Sequence, residues 1–287
     1  MKLQGVYLPV ITPFHHRKID IRSYKRLVNY YIDRGISGLI PLATTGESPT
    51  ISDEEYFMIT EITIHTAAKR VPVFIGASGN DTNRLVKKIK QLQNDDIAGM
   101  LCPAPSYNLP DQRGIYEHFL KLSEASTHNI IIYNIPYRTG RNIENQTIRR
   151  LAEIPNIIGI KDSCGSIEQS MDLLLNPPPN FSILTGHDAH YYLSLALGSG
   201  GGILASAHIH AERFLSVYRH MQNNDHGAAL AVWRQLAPLI PPLFQEPNPA
   251  PVKFLLHKLG LIRSPEVRLP LVEISEELKE KLIKHIG

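Results

Sequence analysis

Short apolar runs bounded by turn residues alternate along this chain with longer stretches whose apolar residues recur at helical spacing. A parallel sheet built from βαβ units produces that pattern, because strands covered on both faces read as continuous apolar runs. The pattern predicts strands near residues 5–12, 38–41, 73–75, 99–101, 130–133, 157–161, 182–185 and 202–204, each followed by a helix. Eight such pairs is the number that closes a (β/α)8 TIM barrel. Helix boundaries are marked by chemistry. Ser52 before Asp53-Glu54-Glu55 supplies a cap and an acidic first turn, and a second helix begins after Asn80-Asp81-Thr82. The last barrel helix spans about 209–221 and stops at Asn223-Asn224-Asp225. Helical segments near 227–239, 251–259 and 274–285 follow without intervening strands. The expected division is a barrel over residues 1–222 and a C-terminal helical extension over 223–287.

Composition narrows the function classes. The 287 residues are 43% hydrophobic and 20% charged, with a net charge of +3, which is too slight to argue for nucleic acid but leaves small anionic substrates open. No segment approaches the length of a membrane span, and Met1-Lys2-Leu3-Gln4-Gly5 leads straight into a strand without a signal-type apolar region, so the expected location is cytoplasmic. Cys102 and Cys164 form no CxxC or Cys/His zinc spacing, and a buried structural thiol is the expected role of Cys164.

The chemistry gathers where predicted strands end, the face on which barrels place working residues. Lys161 ends the apolar run Ile157-Ile158-Gly159-Ile160, and Tyr133 ends Ile130-Ile131-Ile132. Burial penalises an ammonium, which makes Lys161 a candidate Schiff-base nucleophile, although a lone strand-terminal lysine more often snorkels into water. Tyr133 is placed to move its protons. The run Thr44-Thr45-Gly46 offers consecutive hydroxyls and turn amides suited to a carboxylate. A proline-stiffened loop, Pro103 to Pro110, displays Tyr107, and Arg138 provides a guanidinium for a second carboxylate. Gly200-Gly201-Gly202 is expected to let a small ligand lie against backbone near Ile203. The same run enters a strand rather than leaving one, so it is no dinucleotide fingerprint, and no GxxxxGK[ST] loop is present. His208-Ile209-His210 has an alternating spacing but no carboxylate or thiol set beside it, and no metal site is expected. His15-His16 reads as a solvated loop pair.

Taken in order, Ala43-Thr44-Thr45-Gly46-Glu47-Ser48, Tyr133-Asn134-Ile135-Pro136, Gly159-Ile160-Lys161-Asp162 and Asn248-Pro249-Ala250-Pro251-Val252-Lys253 resemble the dihydrodipicolinate synthase / N-acetylneuraminate lyase family over nearly the whole chain. The resemblance implies a (β/α)8 barrel, a C-terminal helical extension and class I aldolase chemistry without metal or organic cofactor. It implies that Lys161 forms the imine with pyruvate, that Thr44 and Thr45 bind its carboxylate, and that Tyr133 relays protons through Thr44 and Tyr107, the last from a neighbouring subunit. Gly186 and Ile203 would contribute backbone near the pyruvate. Tyr137-Arg138-Thr139-Gly140 is similar to the synthase branch, in which the arginine grips the carboxylate of L-aspartate 4-semialdehyde. The departures are Ala43, where the family usually has glycine, and Ser206-Ala207-His208-Ile209-His210. The resemblance further implies a homotetramer built as a dimer of dimers, with small-molecule substrates and no nucleic-acid or membrane partner. Lysine-regulated members carry histidines, a glutamate and a tyrosine where this chain has Asp53, Tyr56, Arg84 and Ser106, which implies lysine insensitivity. The other readings are a neuraminate or 2-keto-3-deoxy sugar-acid lyase or dehydratase of the same family, and a pyruvate-binding barrel without turnover.

Overall fold

The computed structural model describes residues 1–286. Ten strands occur among them: β1 (Gly5–Leu8), β2 (Phe14–His15), β3 (Lys18–Ile19), β4 (Gly38–Leu39), β5 (Phe74–Gly76), β6 (Gly99–Pro103), β7 (Asn129–Asn134), β8 (Ile157–Asp162), β9 (Ser182–Thr185) and β10 (Gly201–Ile203). Eight of them form one sheet in the order β4-β1-β10-β9-β8-β7-β6-β5. The pairs β1–β4, β5–β6, β6–β7, β7–β8, β8–β9 and β9–β10 in that sheet are all parallel. Leu39 of β4 also bridges Val73, the residue before β5, in parallel sense. The eight strands of this sheet and their alternation with helices are those predicted; β2 and β3, a separate two-stranded sheet, are additional.

By contact density the chain groups into two compact units, Met1–Gly5 with Phe74–Ile203, and Val6–Val73 with the chain from Leu204 on. In the first, β5 to β10 carry helices that include Thr82–Gln91, Gln112–Ala125 and Ile167–Leu175. Its core is aliphatic: Ile130, Ile131, Ile132 and Ile160 are fully buried, which is why β7 and β8 read as unbroken apolar runs. The pairing of β7 with β8 slips at Ile130/Ile131 and then sets Tyr133 opposite Lys161.

In the second unit, β1 stops at Leu8 rather than running to residue 12, because Pro9 has no amide to continue the ladder. Ser52 caps the helix Asp53–Ala67 in a reciprocal box with Glu55, as its sequence predicts. The helix Ala207–Gln222 carries a non-helical residue, His210, and ends before Asn224, which takes a left-handed conformation. Beyond it lie His226–Leu236, Ile240–Leu243, Ala250–Lys258 and Glu276–Ile283. The segment Ile240–Leu243, rich in proline, was not anticipated.

Of the pair His15-His16, His15 ends β2, and only one is the exposed loop residue expected, His16. It begins the turn of the antiparallel β2–β3 hairpin, whose central residues His16 and Arg17 both have positive φ. That geometry normally selects Asn-Gly, so the sequence carries no hairpin signal there.

Candidate active site

Lys161 occupies β8, all six residues of which are buried. Its side chain is directed at the β7 neighbour, with Nζ 4.1 Å from the centre of the Tyr133 ring. Only 4% of Lys161 and 5% of Tyr133 remain exposed. Burial pushes the Lys161 amine down to about 8, Asp188 and Tyr137 oppose that shift, and the positive charge of Arg138 adds to it. The lysine therefore does not snorkel: it is a buried amine whose neutral form is far more accessible near neutral pH than that of an exposed lysine.

Gly186 follows β9 and donates its amide to the Asp162 carbonyl at 2.7 Å. A Cβ at this position would lie 2.5 Å from Lys161 Cε and would also collide with the Ser163 hydroxyl. The absent side chain is what gives the lysine stem its room. Ile203 ends β10 and is 1% exposed. Arg138 lies on the one-turn helix Pro136–Thr139, exposed, with its guanidinium carbon 5.6 Å from the Tyr137 ring. Tyr107 is different in kind. It has φ +68° and is 89% exposed, so its own chain leaves the ring in the open.

Two of the three glycines before Ile203 have a packing role that the sequence did not disclose. A Cβ on Gly200 would meet the Leu3 carbonyl at 2.6 Å, and one on Gly201, at φ +149°, would overlap the Gly5 backbone. These residues are small because the start of β1 presses against them.

Thr44 and Thr45 lie in the second unit, in the 3-10 turn Thr44–Gly46. Thr45 is 3% exposed and its hydroxyl accepts from the Asn248 side-chain amide at 3.0 Å. Of the three turn amides expected to face a carboxylate, that of Gly46 is already used, donating to the Ala43 carbonyl at 3.0 Å. Glu47 ends the turn in a left-handed conformation and is 2% exposed. Its carboxylate pairs with Lys253, which is completely buried, and accepts from the Arg268 backbone amide at 3.0 Å. Burial pushes Lys253 down to about 8 while Glu47 pulls it back up. Sequence reasoning singled out Glu47, Asn248 and Lys253 only as parts of motifs and did not foresee their pairing.

His208 is a structural residue. Its Nδ1 bonds to the Ala205 carbonyl at 2.8 Å and its Nε2 accepts from the Ile11 amide, a tautomer that leaves the ring neutral; burial pushes it down to about 4. Among the described residues, no group of three or more His, Cys, Asp or Glu is arranged to hold a metal. Cys164, expected to be buried, is only half-buried, and partial burial together with Asp162 pushes its thiol up to about 11. Among the described residues, no helix is long and apolar enough to cross a membrane.

Comparison with known proteins places this geometry. A sequence model of the dihydrodipicolinate synthetase family matches residues 2–287. The chain is 53% identical over 286 residues to 4-hydroxy-tetrahydrodipicolinate synthase 2 of Clostridium acetobutylicum, covering 100% of both chains. Among solved structures, it is similar to the 4-hydroxy-tetrahydrodipicolinate synthase of Methylacidiphilum fumariolicum at 34% identity, TM-score 0.96, covering 99% of this chain and 95% of that one. The dihydrodipicolinate synthase of Thermotoga maritima matches at 33% identity, TM-score 0.96, covering 100% and 98%. The fold is thus a (β/α)8 barrel with C-terminal helices. With a family match over almost every residue and a buried lysine against a tyrosine at the strand ends, the chain belongs to the dihydrodipicolinate synthetase family.

Proposed function

We propose that this chain is a Schiff-base lyase, a 4-hydroxy-tetrahydrodipicolinate synthase, which condenses pyruvate with L-aspartate 4-semialdehyde in lysine and diaminopimelate biosynthesis. The observation that carries the reading is the buried Lys161 amine, held down to about 8 and set 4.1 Å from the Tyr133 ring. Its neutral form attacks C2 of pyruvate, water leaves, and the resulting iminium is an electron sink. Loss of a methyl proton then yields an enamine instead of a bare carbanion. The enamine carbon adds to the aldehyde, whose carboxylate Arg138 holds. The amino group of the condensed product next displaces the Lys161 amine from C2, closing the six-membered ring and freeing the enzyme.

In this reading Thr44 and Thr45 bind the pyruvate carboxylate, and Gly186 and Ile203 line its backbone surroundings. Tyr133 moves protons through Thr44 and Tyr107. The exposed ring of Tyr107 supports its reaching a neighbouring subunit, hence at least a dimer, and the family resemblance extends this to a homotetramer, a dimer of dimers. Residues 1–222 are assigned to the barrel and 223–287 to the helical extension. The two free thiols and a metabolite substrate favour a cytoplasmic enzyme.

Borohydride reduction in the presence of pyruvate tests the mechanism. Covalent inactivation with the adduct mapped to Lys161 is expected, and Lys161→Ala should lose nearly all turnover while staying folded. An adduct on another lysine, or none, overturns it. Assay of aspartate semialdehyde against a panel of sugar-acid aldehydes reads the second substrate.

A further inference from the structure

One segment, residues 248–253, holds the Thr44–Gly46 turn at two points, from 203 and 206 positions away in the chain. Asn248 donates to the Thr45 hydroxyl, and Lys253 donates to the Glu47 carboxylate one residue past the turn. Neither charged partner is free for chemistry. Lys253 Nζ also donates to the Glu266 carbonyl at 2.9 Å and lies 4.1 Å from the centre of the Phe14 ring. Glu47 is occupied by Lys253 and by the Arg268 amide, and Arg268 is itself held by two 2.6 Å bonds to Glu55. Thr12 adds a bond from its hydroxyl to the Gly46 carbonyl at 2.8 Å.

The polarity of the Asn248 bond is informative. An amide NH2 can only donate, so the Thr45 oxygen is the acceptor and its own proton is not used in this bond. The cost of burying a charged pair in full is also unusual for a mere turn, because such pairs stabilise little compared with apolar replacements. We propose that Lys253 and Glu47, with Asn248, are positioning residues for pyruvate: they lock the Thr44–Gly46 turn so that the Thr45 hydroxyl presents a donor to the substrate carboxylate. This rests on the reading that Thr44 and Thr45 receive that carboxylate.

The test is borohydride trapping over a pyruvate series with the full-length enzyme, Glu47→Gln and Lys253→Met, alongside thermal melting and steady-state kinetics. Glu47→Gln keeps the shape and removes the charge, so it reports even where Lys253→Met fails to fold. The pyruvate concentration giving half-maximal trapping is expected to rise about tenfold or more, with trapping still saturating on Lys161 and the KM for aspartate semialdehyde within about twofold of wild type. A double variant, Glu47→Leu with Lys253→Met, fills the space with apolar groups and is expected to recover melting temperature but not pyruvate affinity. If wild type traps pyruvate and the variants do so at unchanged half-saturation, the positioning role is overturned while the function stands. Recovery of affinity together with stability in the double variant also overturns it, reducing the pair to packing. A wild-type enzyme that traps no pyruvate overturns the functional reading as well.

Discussion

Tyr133 and Lys161 are direct register partners on adjacent parallel strands, and the lysine Nζ sits over the tyrosine ring at 4.1 Å. An ammonium in that place keeps some cation–π attraction but loses its water, and loss of hydration prevails, since burial is the largest influence on the Lys161 amine.

The consequence is a pH profile. With the amine at about 8, the reactive neutral form grows about tenfold per unit as pH rises toward that value and levels off above it. The rate of borohydride trapping at low pyruvate should follow that curve. A rate already flat from pH 6 upward would mean that the amine is lower than its surroundings imply.

Arg138 is exposed and lies close enough for its charge to reach Lys161. Arg138→Ala should lower kcat/KM for aspartate semialdehyde by about ten- to a hundredfold through loss of a charge-assisted bond, while trapping with saturating pyruvate persists. Equal losses in trapping and turnover would remove the assigned role.

Gly186→Ala is predicted to be more damaging than its size suggests. The new methyl would lie 2.5 Å from Lys161 Cε, so either the lysine stem or the backbone must shift. A stability loss of about 1–3 kcal/mol and a fall of about tenfold or more in trapping rate are expected. Gly79→Ala is the control, because its methyl meets Leu85 at an ordinary 3.7 Å. Calorimetry and trapping on both variants read the difference.

Lysine is predicted not to inhibit. The family resemblance implies that Arg84 stands where regulated members place an acidic partner for the effector's ammonium, and the Arg84 side chain is 89% exposed with a 3.8 Å contact to Asp81. A cation there repels the amine and removes an attractive partner at the same time. Half-inhibition at sub-millimolar lysine, measured with both substrates saturating, would contradict this.

Much of the architecture was legible because it depends on local rules. Strands covered on both faces must be apolar throughout, and helix starts need a cap, so Ile157 to Lys161 and Ser52 to Glu55 announce themselves. The reading was weakest where one residue type serves several purposes. Gly200 and Gly201 looked like space for a ligand, but their space is taken by Leu3 and Gly5. The β2–β3 turn uses His16 and Arg17 in conformations that ordinarily call for glycine or asparagine, which no local pattern discloses.

The sequence by itself determined the strand–helix alternation, the candidate lysine and tyrosine at strand ends, and the motifs by which the family is recognised. Only the tertiary structure decided that Lys161 is desolvated rather than snorkelling, that Gly186 is there to admit its stem, and that His208 is a neutral hydrogen-bonding link. It alone joined Asn248 to Thr45 and Lys253 to Glu47. The physical reason is distance along the chain: periodicity and capping act within a few residues, whereas the burial that shifts an amine and the pairing of two buried charges depend on neighbours that only folding brings together.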